Sequence, residues 1–116
     1  MAMNRGQAIT ASTVNLIAGL WLIIAPFVLG FSEITAATIN DIVLGAIIAI
    51  VSAIRIFSSV RWNWLSWLNV LLGFWLIIAP FVLAYPAATP RFNDIILGIV
   101  VIIAGTWSAT STPTQG

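Results

Sequence analysis

The sequence predicts an all-α membrane protein: four transmembrane helices made of two tandem two-helix repeats in the same orientation. Three observations carry that expectation. The 116 residues are 61% hydrophobic and only 6% charged, with a mean hydropathy of +1.13. A water-soluble domain of this size needs far more polar surface, so lipid must be the solvent over most of its area. Four apolar runs lie along the chain, each close to the length of a membrane-crossing helix, with charges confined to their ends. The third observation is a duplication. The block Trp21-Leu22-Ile23-Ile24-Ala25-Pro26-Phe27-Val28-Leu29 returns letter for letter from Trp75 to Leu83, 54 positions later.

The flanks repeat as well. Asn15 and Gly19 correspond to Asn69 and Gly73, and Asn40, Asp41 and Gly45 correspond to Asn93, Asp94 and Gly98, now 53 positions apart. Repeat 1 is read as 14–57 and repeat 2 as 66–109, within a single membrane domain 1–116.

Taken in order, residues 1–13 are polar or small and are expected at the membrane surface. The first helix is predicted over 14–31, long enough to cross about 30 Å of hydrocarbon at about 1.5 Å per residue. Lipid admits only helices and closed barrels, and runs without strict alternation favour helices. Pro26 removes a donor and crowds the Leu22 carbonyl, so the helix must bend or stop there. Asn15, Gly19, Leu22 and Pro26 share one face and are expected to pack on another helix. Residues 32–39 are read as a loop, and the second helix as 40–57. Asn40 or Thr38 then caps that helix, and Asp41 sits in its first turn, favoured by the dipole. Gly45, Ala49 and Ala53 form a ladder of small residues for close helix approach. Arg55 and Arg61 bracket the exit, and Trp62, Trp64 and Trp67 read as anchors at the headgroup level. The third helix, 66–85, repeats the first with Asn69, Gly73, Leu76 and Pro80. Pro86, Pro90 and Arg91 mark a second loop, and the fourth helix is placed at 93–107.

The arginines set an expected orientation. Arg5, Arg55 and Arg61 share a side with both termini, against Arg91 opposite, so the termini are expected to be cytoplasmic. A secretory signal is disfavoured, because the first apolar run is long and its copy returns at 68–85.

Composition removes whole classes of chemistry. There is no Cys and no His, hence no thiolate metal site, no imidazole ligand and no imidazole proton shuttle. Glu33, Asp41 and Asp94 are the only carboxylates, and no Lys is present. The chain is therefore not expected to be an enzyme. Four arginines make no basic patch, so nucleic acid is not an expected partner. No cofactor is expected, although a structural lipid or a pigment held without His remains compatible. Other membrane proteins and lipids are the expected partners, with a homo-oligomer possible in principle. Asp41 and Asp94, with Asn40 and Asn93, are the candidate polar site: intramembrane acids raise a functional hypothesis, against which stands simple helix capping. The readings left open are an accessory subunit of a larger membrane assembly, a small ion or proton pathway, and a lipid-, quinone- or pigment-binding module.

The duplicated Asn-xxx-Gly-x-Trp-Leu-Ile-Ile-Ala-Pro-Phe-Val-Leu block, followed by Asn-Asp opening the next helix, resembles the SPW repeat family. These are small prokaryotic integral membrane proteins of one or two two-helix units. The likeness covers Asn15 to Trp107. The family's Ser-Pro-Trp falls here on Ala25-Pro26-Phe27 and Ala79-Pro80-Phe81, so each copy keeps only the proline. The resemblance implies a membrane location, the inner membrane of a prokaryote, and no catalysis.

Overall fold

A computed structural model describes the backbone of residues 5–57 and 63–111. It contains four helices in chain order: α1 (Arg5–Val28), α2 (Thr35–Phe57), α3 (Asn63–Val82) and α4 (Ala88–Ser111). Each has a stretch long and apolar enough to cross a membrane, from 19 to 23 residues. The predicted architecture is thus the observed one. Within each repeat the helices pack closely, α1 on α2 and α3 on α4; across the repeats α1 meets α4 and, more loosely, α2 meets α3.

All four helices start earlier than the sequence suggests. α1 runs from Arg5, so its first turns are not a separate surface segment. α2 starts at Thr35, with the Ile34 carbonyl accepting from Thr38 N–H at 2.9 Å. Asn40 and Asp41 therefore lie in the second turn and cap nothing. The same holds for Asn93 and Asp94, because α4 starts at Ala88. Pro90 is not in the loop but in the first turn of α4, where a missing N–H costs nothing because that donor has no intrahelical partner anyway.

The two proline helices stop the same way. Pro26 and Pro80 are each followed by only two more helical residues. The chain then turns through a left-handed residue, Gly30 (φ 79°) or Ala84 (φ 54°). Phe31 N–H donates back to the Pro26 carbonyl at 2.9 Å, and Tyr85 N–H to the Pro80 carbonyl at 3.0 Å. This six-to-one bond is the Schellman arrangement, and it satisfies a carbonyl that would otherwise be orphaned. Its consequence is directional: it turns Phe31 and Tyr85 back into the bundle, where they are 3% and 4% exposed.

Glycine sets the spacing within each repeat. A Cβ on Gly19 would sit 2.7 Å from the Gly45 carbonyl and 2.8 Å from Ala49 N; one on Gly73 would meet the Gly98 carbonyl at 2.9 Å. Backbones touch here, so no side chain fits. Asn15, Leu22 and Pro26 line the same buried face, as do Asn69, Leu76 and Pro80. Of the small-residue ladder, Gly45 and Ala49 are buried while Ala53 is only half-buried. Trp64 and Trp67 are exposed, at the start of α3; Trp62 lies outside the described residues.

Replacing Gly19 by Leu forces α1 off α2 and should cost about 2 kcal/mol or more, read as a lower unfolding midpoint in detergent. Ala84→Gly removes a left-handed alanine, a conformation that costs about 1 kcal/mol, and should raise the same midpoint.

Candidate functional site

An apolar bundle has few places to hide polar groups, and this one gathers them into two internal clusters. The first lies toward the short loops. Asp41 and Asp94 are fully buried, and Asn40 and Asn93 are each 8% exposed. Stepping along α2 by three and four from Asp41 leads to Gly45, Ile48, Ser52 and Arg55, all of them buried. That stripe carries the second cluster at its far end, about 21 Å away at 1.5 Å per residue.

The first cluster is braced across the repeats. Trp21 Nε1 donates to Asn93 Oδ1 at 2.8 Å, and Trp75 Nε1 donates to Asn40 Oδ1 at 2.8 Å. Each indole thus holds the asparagine of the other repeat. With its oxygen taken, each amide turns its nitrogen toward the acids of the site. Asn93 Nδ2 donates to Asp41 Oδ2 at 3.4 Å, and Asn40 Nδ2 to Asp94 Oδ2 at 3.4 Å. Asn93 Nδ2 also reaches Asp94 Oδ1 at 3.4 Å. The structure therefore brings together the four sequence-predicted polar residues.

The reciprocity breaks at one position. Tyr85 OH donates to Asp94 Oδ2 at 2.8 Å and accepts from Asn40 Nδ2 at 3.0 Å. Burial, and then the adjacent Asp94 carboxyl, push the Tyr85 phenol above its ordinary value, so it keeps its proton and remains a donor. Its counterpart in the first repeat is Phe31, which has no hydroxyl. Asp41 Oδ1 is left buried without a hydrogen-bond partner.

The second cluster surrounds Arg55, which is 5% exposed. Its Nε donates to Ser66 Oγ at 2.7 Å, and its Nη2 to the Ser108 carbonyl at 2.9 Å and Ser108 Oγ at 3.2 Å. Ser108 Oγ in turn pairs with Ser12 Oγ at 2.8 Å and Ser66 Oγ at 2.9 Å. By repeat position Ser12 answers Ser66, and Ser108 stands where the first repeat has Arg55. The guanidinium is thus part of the interior, not a headgroup-level flank as the sequence suggests. Nearby, Asn69 Nδ2 donates to Ser52 Oγ at 3.1 Å. The equivalent of Ser52 is Gly105, and the equivalent of Asn69 is Asn15, whose Nδ2 and Oδ1 find no partner.

Between the clusters stands an apolar layer. Leu22, Ile48, Leu76 and Val101 are all fully buried in one core cluster. They too are repeat equivalents, Leu22 with Leu76 and Ile48 with Val101. The polar residues therefore do not form one continuous track along the bundle.

The profile of the SPW repeat domain matches residues 9–108. The chain belongs to the SPW repeat family. The match covers both repeats and both polar clusters, and with the four apolar helices it makes this SPW protein an integral, multi-pass membrane protein. No curated protein and no solved structure matches the chain. Among the described residues, no group of three or more His, Cys, Asp or Glu side chains is placed to hold a metal ion.

Sequence reasoning missed Trp21, Trp75, Tyr85, Arg55 and the serines. The tryptophans were visible as invariant letters of the repeat, and Arg55 as the end of the Asp41 stripe. Tyr85 offered no signal beyond being the one tyrosine of the chain.

Trp75→Phe deletes the indole donor and leaves Asn40 Oδ1 buried and unpaired. A buried group in that state costs about 1–3 kcal/mol, so the unfolding midpoint in detergent should fall for Trp75→Phe, and for Trp21→Phe by its equivalent bond.

Proposed function

We propose that this protein is a non-catalytic structural subunit of a larger membrane assembly. One observation carries the reading: its polar chemistry is turned inward, while every helix offers apolar side chains to its surroundings. Ile17, Leu20 and Phe27 on α1, Ile50 and Phe57 on α2, Leu71 and Phe81 on α3, and Ile96 and Ile103 on α4 are all exposed. In a bilayer such faces meet either acyl chains or other helices, and van der Waals packing against helices requires no polar concession from the partner. The short loops leave little to engage a soluble partner. The braces and glycine contacts suit a rigid spacer. Positive charge at the terminal end supports an orientation with both termini in the cytoplasm.

The pathway reading has less support, because the Leu22, Ile48, Leu76 and Val101 layer separates the two polar clusters within a single chain. The lipid-binding reading has one observation in its favour. A groove of about 380 Å³ lies between α2 and α3, with Ile39, Val43, Leu44, Leu83 and the Trp75 ring among its walls. That is within the size range of small-molecule sites, and its apolar walls suit a hydrocarbon chain.

The test is gentle extraction of the tagged full chain from its native membrane, followed by native mass measurement and identification of co-eluting species. A fixed-stoichiometry complex with other membrane proteins is the expected result. A homogeneous particle of this chain with bulk lipid alone would sink the subunit reading, and one stoichiometric lipid or pigment would favour the groove.

A further inference from the structure

We infer that Asp41 and Asp94 form a single proton-binding site inside the membrane, holding one proton between their two carboxyls. The inference is independent of the subunit reading, since it concerns the interior of one chain.

The geometry makes the two acids one site. One amide nitrogen, Asn93 Nδ2, lies 3.4 Å from Asp41 Oδ2 and 3.4 Å from Asp94 Oδ1. That shared nitrogen ties the two carboxyls into one hydrogen-bonded group. Both residues are fully buried, and each comes from a different repeat.

The charge balance then needs a ligand. No basic side chain among the described residues donates to either carboxyl. Arg91, the nearest along α4, donates instead to the Tyr85 carbonyl at 3.4 Å. Arg55 lies in the other cluster, beyond the apolar layer. From α1 and α3 come the indoles of Trp21 and Trp75, which do not titrate, and Glu33 in the first loop is exposed. Among the described residues Tyr85 is the only other titratable group facing the pair, and it is a neutral donor. Two carboxylates that share one amide donor and are cut off from water do not both stay ionised.

The surroundings select a proton over a metal cation. A cation needs oxygen lone pairs, yet both asparagine oxygens are turned away onto the indoles. What faces the acids is a set of donors: Asn40 Nδ2, Asn93 Nδ2 and Tyr85 OH. Three donors suit one negative charge. They serve Asp94 Oδ1, Asp94 Oδ2 and Asp41 Oδ2, so Asp41 Oδ1 is the one carboxyl oxygen of the pair left without any of them. An O–H shared between the two acids completes the set. Losing it would place like charges across the seam between repeats, which links packing at this end of the bundle to proton binding.

Asp41 and Asp94 are the only aspartates in the chain, so an isotope label reads the site alone. The experiment is infrared spectroscopy of the full-length protein in lipid nanodiscs at pH 7, with carbon-13 at the aspartate side-chain carboxyl. The expected spectrum shows one protonated carboxyl and one carboxylate per chain, unchanged on swapping sodium and potassium for a bulky organic cation. Asp41→Asn and Asp94→Asn, which keep size and hydrogen bonding, should each abolish the protonated band. Two carboxylate signals, or two protonated ones, in the wild type would overturn the inference. So would a protonated band that appears only when alkali cations are withdrawn, since a metal ion would then be the native occupant. The wild-type spectrum decides the question even if a variant fails to fold.

Discussion

A hydrocarbon solvent cannot hydrogen-bond, and the fold answers that constraint by pairing most of the polar side chains it carries inside with one another. Each indole of the repeated Trp block takes an asparagine oxygen from the opposite repeat, and that asparagine gives its nitrogen to the acids. Without the braces, four polar side chains would be stranded in a low-dielectric interior, where an unpaired group is most costly. The glycine contacts set the helix spacing within each repeat, and the polar bonds join one repeat to the other.

Duplication gives this interior its order, and divergence gives it its chemistry. Where the copies agree, the contacts are reciprocal, as in the Trp–Asn braces and the apolar layer of Leu22, Ile48, Leu76 and Val101. Where they differ, one side has a hydrogen bond that the other lacks. Tyr85 against Phe31 gives Asp94 a phenol donor that Asp41 lacks; Ser52 against Gly105 gives the Asn69 amide nitrogen an acceptor that Asn15 lacks. Arg55 against Ser108 allows one guanidinium of the first repeat to sit against two hydroxyls of the second. A second arginine there would place two like charges together in the interior. The asymmetric positions are the ones at which a duplicated scaffold acquires properties that neither copy has alone.

Much of this was legible in the sequence. The letter-for-letter block, the Asn/Gly/Leu/Pro stripe and the small-residue ladder point to four spans and to the faces they bury. The helix starts were not legible. Asn40-Asp41 and Asn93-Asp94 look like caps, because a polar pair before an apolar run usually is one. Here α2 and α4 start five residues earlier, on Thr35 and Ala88, without a typical cap residue at Ile34. That single displacement moves the acids from the interface to the core. Arg55 was misread for a related reason: a charge near a helix end looks like a flank until its face is known.

The sequence by itself determined the solvent, the number of spans and the repeat, since hydropathy and self-similarity are local properties of the chain. It also excluded imidazole and thiolate chemistry through the absence of His and Cys. The tertiary structure alone decided which polar groups meet. The bonds that define the two clusters join residues 35, 72 and 96 positions apart, and no periodicity along one helix encodes such pairings. They follow from how closely the helix backbones approach and at what register, and that is set by packing across the whole bundle.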